Sequence, residues 1–227
     1  MKIELVVFDM AGTTVRDDDS VNRCLRDALA AGGLAVSRDE VNAVMGIPKP
    51  DAIAALLAQK QPASAPPSAA RVAELHNDFL RRMLDFYRTD PSVGPMPGTL
   101  KCFAELRRRS VRLALDTGFS RDIVDTILQR LGWNAPGFLD ATVASDEVPR
   151  GRPHPDLLIE AMRRTGVASA SQVAKVGDTP SDLQEGTAAG CGLVIGVTNG
   201  THTREQLASH PHHHLICSLA ELPALLD

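Results

Sequence analysis

Residues 3–15, IELVVFDMAGTTV, decide how this chain folds. The run from Ile3 to Phe8 is β-rich and largely apolar, and Asp9 ends it just before a Gly12-Thr13-Thr14 turn. Four further runs have the same form, closed by Gly, Thr or Asp: VRLALDTG, LDATVASD, QVAKVGDT and GLVIGVTNG. The helical patterns SRDIVDTILQRLG, HPDLLIEAMRRTG and PSDLQEGTAAG lie between the later ones. HLICSLAELPALL reads as one more strand and a closing helix. Strands alternating with helices of this length predict βαβ units, hence an α/β fold with a mainly parallel sheet flanked by helices.

Residues 17–92 break that rhythm, with helical patterns and no convincing strand. SVNRCLRDALAAGG has Ser20 as N-cap and Gly32-Gly33 as its stop. SRDEVNAVMG, PDAIAALLAQK and SAARVAELHNDFLRRMLDFYR follow, with the Pro/Ala/Ser loop QPASAPPS between the last two. The chain re-enters the α/β unit through GPMPGTLKCFAELRRR. The expected division is a core of 1–16 and 93–227 with an inserted all-helical domain over 17–92.

A net charge of −4 argues against nucleic acid as a partner. No apolar run reaches the ~18 residues that suggest a membrane span, and Asp9 interrupts the first apolar stretch too early for a signal-peptide core. The four cysteines, Cys24, Cys102, Cys191 and Cys217, form no CxxC pair and read as scattered thiols of a reducing compartment. The expectation is a cytoplasmic protein without membrane or nucleic-acid partners.

In an open parallel sheet, ligands collect at the carboxyl ends of the strands. The informative residues are therefore Asp9, Thr117, the PRGRP segment and Asp178. Asp9 is able to coordinate a hard cation or attack an electrophile such as phosphorus; it is equally able to cap a turn. Asp178 directly follows a strand, with Thr179 as N-cap and Pro180 as first helical residue. Asp182, four residues on, either turns toward the same mouth or merely favours the helix N-terminus. Oxygen ligands of this kind suit Mg²⁺. Thr117 and Gly118 offer a hydroxyl and backbone N–H groups to a phosphoryl oxygen. Arg152 is placed to neutralise that group and the nucleophile, with Arg150 as its rival.

Asp9 with GTTV, Thr117-Gly118, Arg152-Pro153 and GDTPSD occur in the order of the four motifs of the haloacid dehalogenase superfamily, which the whole chain resembles. The resemblance implies a Rossmann-like core with a helical cap inserted after the first motif. It implies Asp9 as a nucleophile that forms an aspartyl-phosphate. It implies Mg²⁺ on Asp9, the Ala11 carbonyl and Asp178, with Asp182 supporting that shell. Thr117 would hold a phosphoryl oxygen and Arg152 would balance charge.

Most phosphatases of this superfamily carry a second Asp two residues after the nucleophile, where this chain has Ala11. Positioned acid/base catalysis contributes roughly 10²–10⁴-fold, so the leaving group here should not need that proton. Lys49, in MGIPKPD, stands before Pro50, the expected first residue of a helix. The helix dipole and burial would both lower its pKa, as imine-forming lysines require. DMAGTT with MGIPK, DEVPRGRPHP and KVGDTPSD are similar to the phosphonatase branch of the superfamily, the phosphonoacetaldehyde hydrolases. That resemblance implies a Lys49 Schiff base with the substrate carbonyl, so that the C–P bond breaks toward an enamine while Asp9 takes the phosphoryl group. Thr13, Met45 and Gly118 would contact substrate.

Ala52 stands where that family has His, Phe119 where it tends to have Tyr, and Asp19 where Cys is usual. A related 2-oxoalkylphosphonate therefore fits as well as phosphonoacetaldehyde. A phosphomonoesterase and a non-catalytic binder of phosphorylated ligands are the alternative readings. His210, His212, His213 and His214 read as a polar surface turn, and Asp17 to Asp19 as a solvated hinge in which Asp19 or Ser20 caps the first helix. Asp116 reads as a local helper or a turn residue, and the Ala/Leu stripes of 17–92 as helix packing, part of which could form a homodimer surface.

Overall fold

The structure, a computed structural model, describes residues 2–60 and 67–226. Most of the expected QPASAPPS loop, residues 61–66, lies outside the described residues. Strands β1 (Leu5–Asp9), β2 (Arg112–Asp116), β3 (Ala141–Val143), β4 (Val173–Gly177), β5 (Leu193–Val197) and β6 (His214–Ile216) form one sheet in the order β3-β2-β1-β4-β5-β6. Every pairing is parallel. The strand order reverses at β1 and β4, which places the switch-point crevice beside Asp9 and Asp178.

β1 is buried along its whole length because helices cover both faces. Leu5 and Val7 pack into a cluster with Leu157 and Leu158 of α7 (Asp156–Thr165) and Leu183 of α8 (Pro180–Ala189). Val6 and Phe8 point the other way, toward Phe103 of α5 (Thr99–Arg108), and the rings of Phe8 and Phe103 lie 5.1 Å apart. Each such side chain contributes about 1.5–3 kcal/mol on burial, which explains a run without polar alternation. The helix α6 (Arg121–Leu131) follows β2, and α9 (Arg204–Ala208), which the sequence reading did not assign, follows β5.

Residues 17–92 form α1 (Ser20–Ala31), α2 (Arg38–Asn42), α3 (Lys49–Lys60) and α4 (Ala69–Thr89), with no strand among their described residues. α1 and α3 pack against α4, and α4 rests on α6. None of the described helices is long and apolar enough to cross a membrane.

Several local expectations change. SRDEVNAVMG is α-helical only over Arg38–Asn42, and α3 begins at Lys49 rather than Pro50. The closing helix is a 3₁₀ segment, Leu219–Leu225, with Pro223 inside it, where the missing N–H disfavours an α-helix. Ser20 is the first residue of α1 rather than its cap, and Asp19 adopts φ 67° without a side-chain cap bond. Asp17 does the capping instead: its Oδ1 accepts the N–H groups of Ser20 at 2.7 Å and Val21 at 3.1 Å. Asp19 pairs with Arg26 and Arg38. His210, His212 and His213 lie ahead of β6 and His214 is its first residue; Nδ1 of His213 accepts the Val194 N–H at 2.9 Å.

Candidate active site

The carboxyl ends of β1, β2 and β4 bring together residues far apart in the chain. Asp9, at the end of β1, is 5% exposed, and its Oδ1 accepts from Nη1 of Arg152 at 2.7 Å. The guanidinium also donates through Nε to Oε2 of Glu185 at 2.9 Å and through Nη2 to the carbonyl of Asp116 at 3.0 Å, and it pairs with the Asp116 carboxylate. Arg150, its sequence rival, pairs with Asp156 at 3.0 Å and is itself exposed. Arg152 is therefore the charge beside the nucleophile candidate.

Asp178 is fully buried and fixed by two donors, the Thr13 hydroxyl at 2.8 Å and the Thr201 N–H at 2.6 Å. Thr13 was expected to touch substrate, but its hydroxyl orients Asp178, and it is absent from the walls of the cavity described below. Gly12 sits at φ +90°, and a Cβ there would lie 2.4 Å from Asp178 Oδ2; only glycine lets the turn press against that carboxylate.

Thr179 and Asp182 form the expected cap of α8 with Pro180 at its first turn. Oδ2 of Asp182 accepts from the Thr179 hydroxyl at 2.6 Å and N–H at 3.1 Å, so Asp182 does serve the helix end. Its Oδ1 faces inward, 2.9 Å from Nη1 of Arg152 and 3.2 Å from Nζ of Lys175, yet makes no aligned hydrogen bond.

Ligand oxygens of Asp9, Asp178 and Asp182 all lie within 4.8 Å of one another. Burial, and then the Asp182 charge, push the Asp9 carboxyl well above the usual range and Asp178 up to about 6. Three buried carboxylates within that distance are a hard-oxygen donor set that fits a divalent cation. Asp116, Asp182 and Glu185 form a second acidic trio, but Lys175 Nζ already occupies it, pairing with Asp116 and lying 3.0 Å from Glu185 Oε2.

Lys175 and Glu185 were missed in the sequence. A lysine inside the strand run VAKVG was the available signal, as was the i,i+3 spacing of Asp182 and Glu185 on one helix face. Both side chains are completely buried. Burial and Asp116 raise the Glu185 carboxyl to about 8. For Lys175, burial and Arg152 oppose the charge, but Asp116, Glu185 and Asp182 outweigh them and raise its pKa.

Lys49 enters from the first turn of α3. Only 4% exposed, it lines one cavity of about 30 Å³ with Asp9, Ala11, Met45, Thr117, Gly118 and Arg152. Its Nζ lies 5.7 Å from the centroid of the Phe119 ring and 3.5 Å from the Ile47 carbonyl. Burial is the main reason its ammonium is pushed from 10.5 down to about 8. Asp17, read as part of a solvated hinge, lines this cavity too. A wider groove of about 650 Å³ opens alongside, and Gly118 and Arg152 line both.

Thr117 is held in place by its neighbours. Its N–H, expected to be exposed, donates to the Val143 carbonyl at 3.2 Å, while its hydroxyl accepts the Phe119 N–H at 3.2 Å. Gly118 meets the loop that carries Lys49 so closely that a Cβ would lie 2.8 Å from the Ile47 carbonyl oxygen.

A family model described as haloacid dehalogenase-like hydrolase matches residues 3–190. Phosphonoacetaldehyde hydrolase of Bacillus cereus is 30% identical over 223 residues, 91% of this chain and 81% of that protein. The enzyme of the same name from Bordetella avium is 30% identical over 258 residues, 100% of this chain and 91% of its own. Among solved structures, a phosphonoacetaldehyde hydrolase-like protein from Oleispira antarctica superposes with a TM-score of 0.87 at 20% identity, covering 100% of this chain and 92% of that one. CbbY of Rhodobacter sphaeroides, solved with phosphate, reaches 0.80 at 24% identity, covering 97% and 96%. At such identities the solved structures speak for the fold, while the family model and the curated relatives speak for kinship. The chain belongs to the haloacid dehalogenase-like hydrolases and, within them, resembles the phosphonatase branch.

Proposed function

We propose that this chain is a Mg²⁺-dependent phosphonatase-like hydrolase that cleaves the C–P bond of phosphonoacetaldehyde or a related 2-oxoalkylphosphonate. The observation that carries this reading is the buried Lys49 in the same cavity as Asp9 and Ala11. A lysine brought down to about 8 keeps an appreciable neutral fraction near neutral pH, which attack on a carbonyl requires. The names of the relatives from Bacillus cereus and Bordetella avium point the same way.

In this mechanism the Lys49 amine adds to the substrate carbonyl and water leaves, giving a protonated imine. An oxygen of Asp9, oriented by Arg152, attacks phosphorus; the C–P bond breaks and its electron pair moves to carbon as an enamine. Protonation at carbon and hydrolysis of the imine return Lys49 and release the aldehyde or ketone. Water then hydrolyses the aspartyl-phosphate to free phosphate. An enamine leaves without a carboxylic acid, which accounts for Ala11. The Thr117 hydroxyl, already accepting from Phe119, has its proton to donate to a phosphoryl oxygen. Asp9, the Ala11 carbonyl and Asp178 would hold Mg²⁺, with Asp182 behind them; when bound it neutralises the carboxylates and polarises the phosphoryl group.

Residues 17–92 act as a cap over a core of 1–16 and 93–227. A cavity of about 30 Å³ has room for a water or two, too little for a phosphonate. The loop carrying Met45 to Lys49 must therefore lift from Gly118 and Thr179 for substrate to enter.

Borohydride reduction with phosphonoacetaldehyde or 2-oxopropylphosphonate should leave a substrate-dependent mass adduct on Lys49. Wild-type turnover by Lys49→Arg, or faster hydrolysis of phosphomonoesters than of every oxophosphonate, would overturn the reading. Activity unchanged after exhaustive chelation would remove the metal from it.

A further inference from the structure

We infer that Asp17 carries the protons of the imine half of the reaction, an inference that rests on the Lys49 reading above. Imine formation expels water: the carbinolamine hydroxyl leaves readily only when protonated. The return hydrolysis needs a base to take a proton from incoming water. Asp9 is committed to phosphorus and tied to Arg152. Among the described residues lining the Lys49 cavity, Asp17 is the other carboxyl.

Its geometry suits the task. Oδ1 is fixed by the N–H groups of Ser20 and Val21 at the start of α1, and no hydrogen bond with a described residue engages Oδ2. Asp17 and Lys49 line the same cavity, and the two act on each other electrostatically. Burial holds the Asp17 carboxyl above its ordinary 3.8, which favours a group that both gives and takes a proton.

Asp17 also borders a second space. A polar chamber of about 40 Å³ lies beyond it, walled by Asp19, Asn22, Arg38 and Asn42, and Asp17, Met45 and Thr201 line both chamber and cavity. That volume suffices for a water. Asp17 thus borders both the cavity of the imine-forming amine and a place for the water that imine formation releases and hydrolysis consumes.

In the forward direction the Asp17 carboxyl gives its proton to the carbinolamine oxygen, the C–O bond breaks, and water departs as the nitrogen lone pair forms the C=N bond. In the reverse direction the carboxylate takes a proton from water while the water oxygen bonds to the imine carbon.

The test is reductive ethylation with acetaldehyde and cyanoborohydride, with the rate at Lys49 read by peptide mass mapping. Asp17→Asn and Asp17→Ser each keep an acceptor for the N-terminal N–H groups of α1, so the fold has two ways to survive. The two roles of Asp17 predict opposite signs. As a mere negative neighbour it raises the Lys49 pKa, so its loss would leave more neutral amine and speed labelling. As the proton carrier, its loss should slow labelling roughly 10²-fold or more at neutral pH. Labelling at or above the wild-type rate in either folded variant overturns the proposal alone. Absence of any Lys49 adduct in the wild type overturns the imine reading and this proposal with it.

Discussion

Arg152 and Asp9 are 143 positions apart in the chain and meet at 2.7 Å, with the guanidinium gripped on its other sides by Glu185 and Asp116. A planar fork with five donors serves three partners at once, and a point charge cannot. The nucleophile candidate is therefore held by a group that is itself immobilised.

Arg152→Lys keeps the charge and loses the fork. The expected result is a fall in kcat/KM of about 10²–10³-fold, the range for removing one preorganised transition-state donor. Steady-state kinetics on the oxophosphonate, with urea unfolding run alongside, checks this and separates catalysis from stability.

Lys175 shares Asp116, Asp182 and Glu185 with Arg152 inside a site with no exposed side-chain surface. Removing one partner of a buried ion pair costs about 3–5 kcal/mol because the other charge is left uncompensated. Lys175→Met should lower unfolding stability by that amount. The double variant Lys175→Met/Glu185→Gln should recover part of it, as a double-mutant cycle in urea will measure.

Gly118→Ala places a methyl group 2.8 Å from the Ile47 carbonyl oxygen and 3.0 Å from that of Gly46. The Lys49 loop must then retreat, and displacements of about 1 Å are able to cost 10²-fold in rate. Borohydride trapping at Lys49 should slow at least roughly tenfold, while the urea midpoint stays near that of the wild type.

The trapping rate should rise with pH and level off above about 8 as the Lys49 ammonium loses its proton. The Phe119 ring, 5.7 Å away, favours the ammonium. A cation–π contact is worth about 0.5–2 kcal/mol, and one pKa unit is about 1.4 kcal/mol. Phe119→Leu should therefore move the midpoint down by roughly 0.4–1.5 units. The same group affects stability: its folded pKa of about 8 lies below the ordinary 10.5, so between those values the unfolded chain binds more protons. Its contribution to stability should thus increase as pH rises through that window.

Asp9, Thr117 and Asp178 were readable in the sequence because each closes or directly follows a strand, and strands of a parallel sheet end on one edge. Lys49 stood out because Pro50 signals a helix beginning close by, which the structure sets at Lys49, and because Ala11 leaves a chemical gap. Asp17 misled, since three consecutive aspartates look solvated until α1 and the Lys49 loop close around the first of them. Nothing in AGTT tells whether a hydroxyl faces substrate or a neighbouring carboxylate; the Thr13 hydroxyl donates to Asp178.

The alternation of strand and helix, the all-helical character of the described part of 17–92 and the order of the strand-end residues are legible in the chain, because they follow from side-chain period and local turn chemistry. Long-range packing settles that Arg152 rather than Arg150 reaches Asp9, that Lys175 pairs with Asp116 and Glu185, and that Lys49 shares a cavity with both Asp9 and Asp17. A charged side chain is free to choose its partner only when several elements converge on it. In a buried site the cost of an unpaired charge then makes that choice, and it depends on distances that no local pattern encodes.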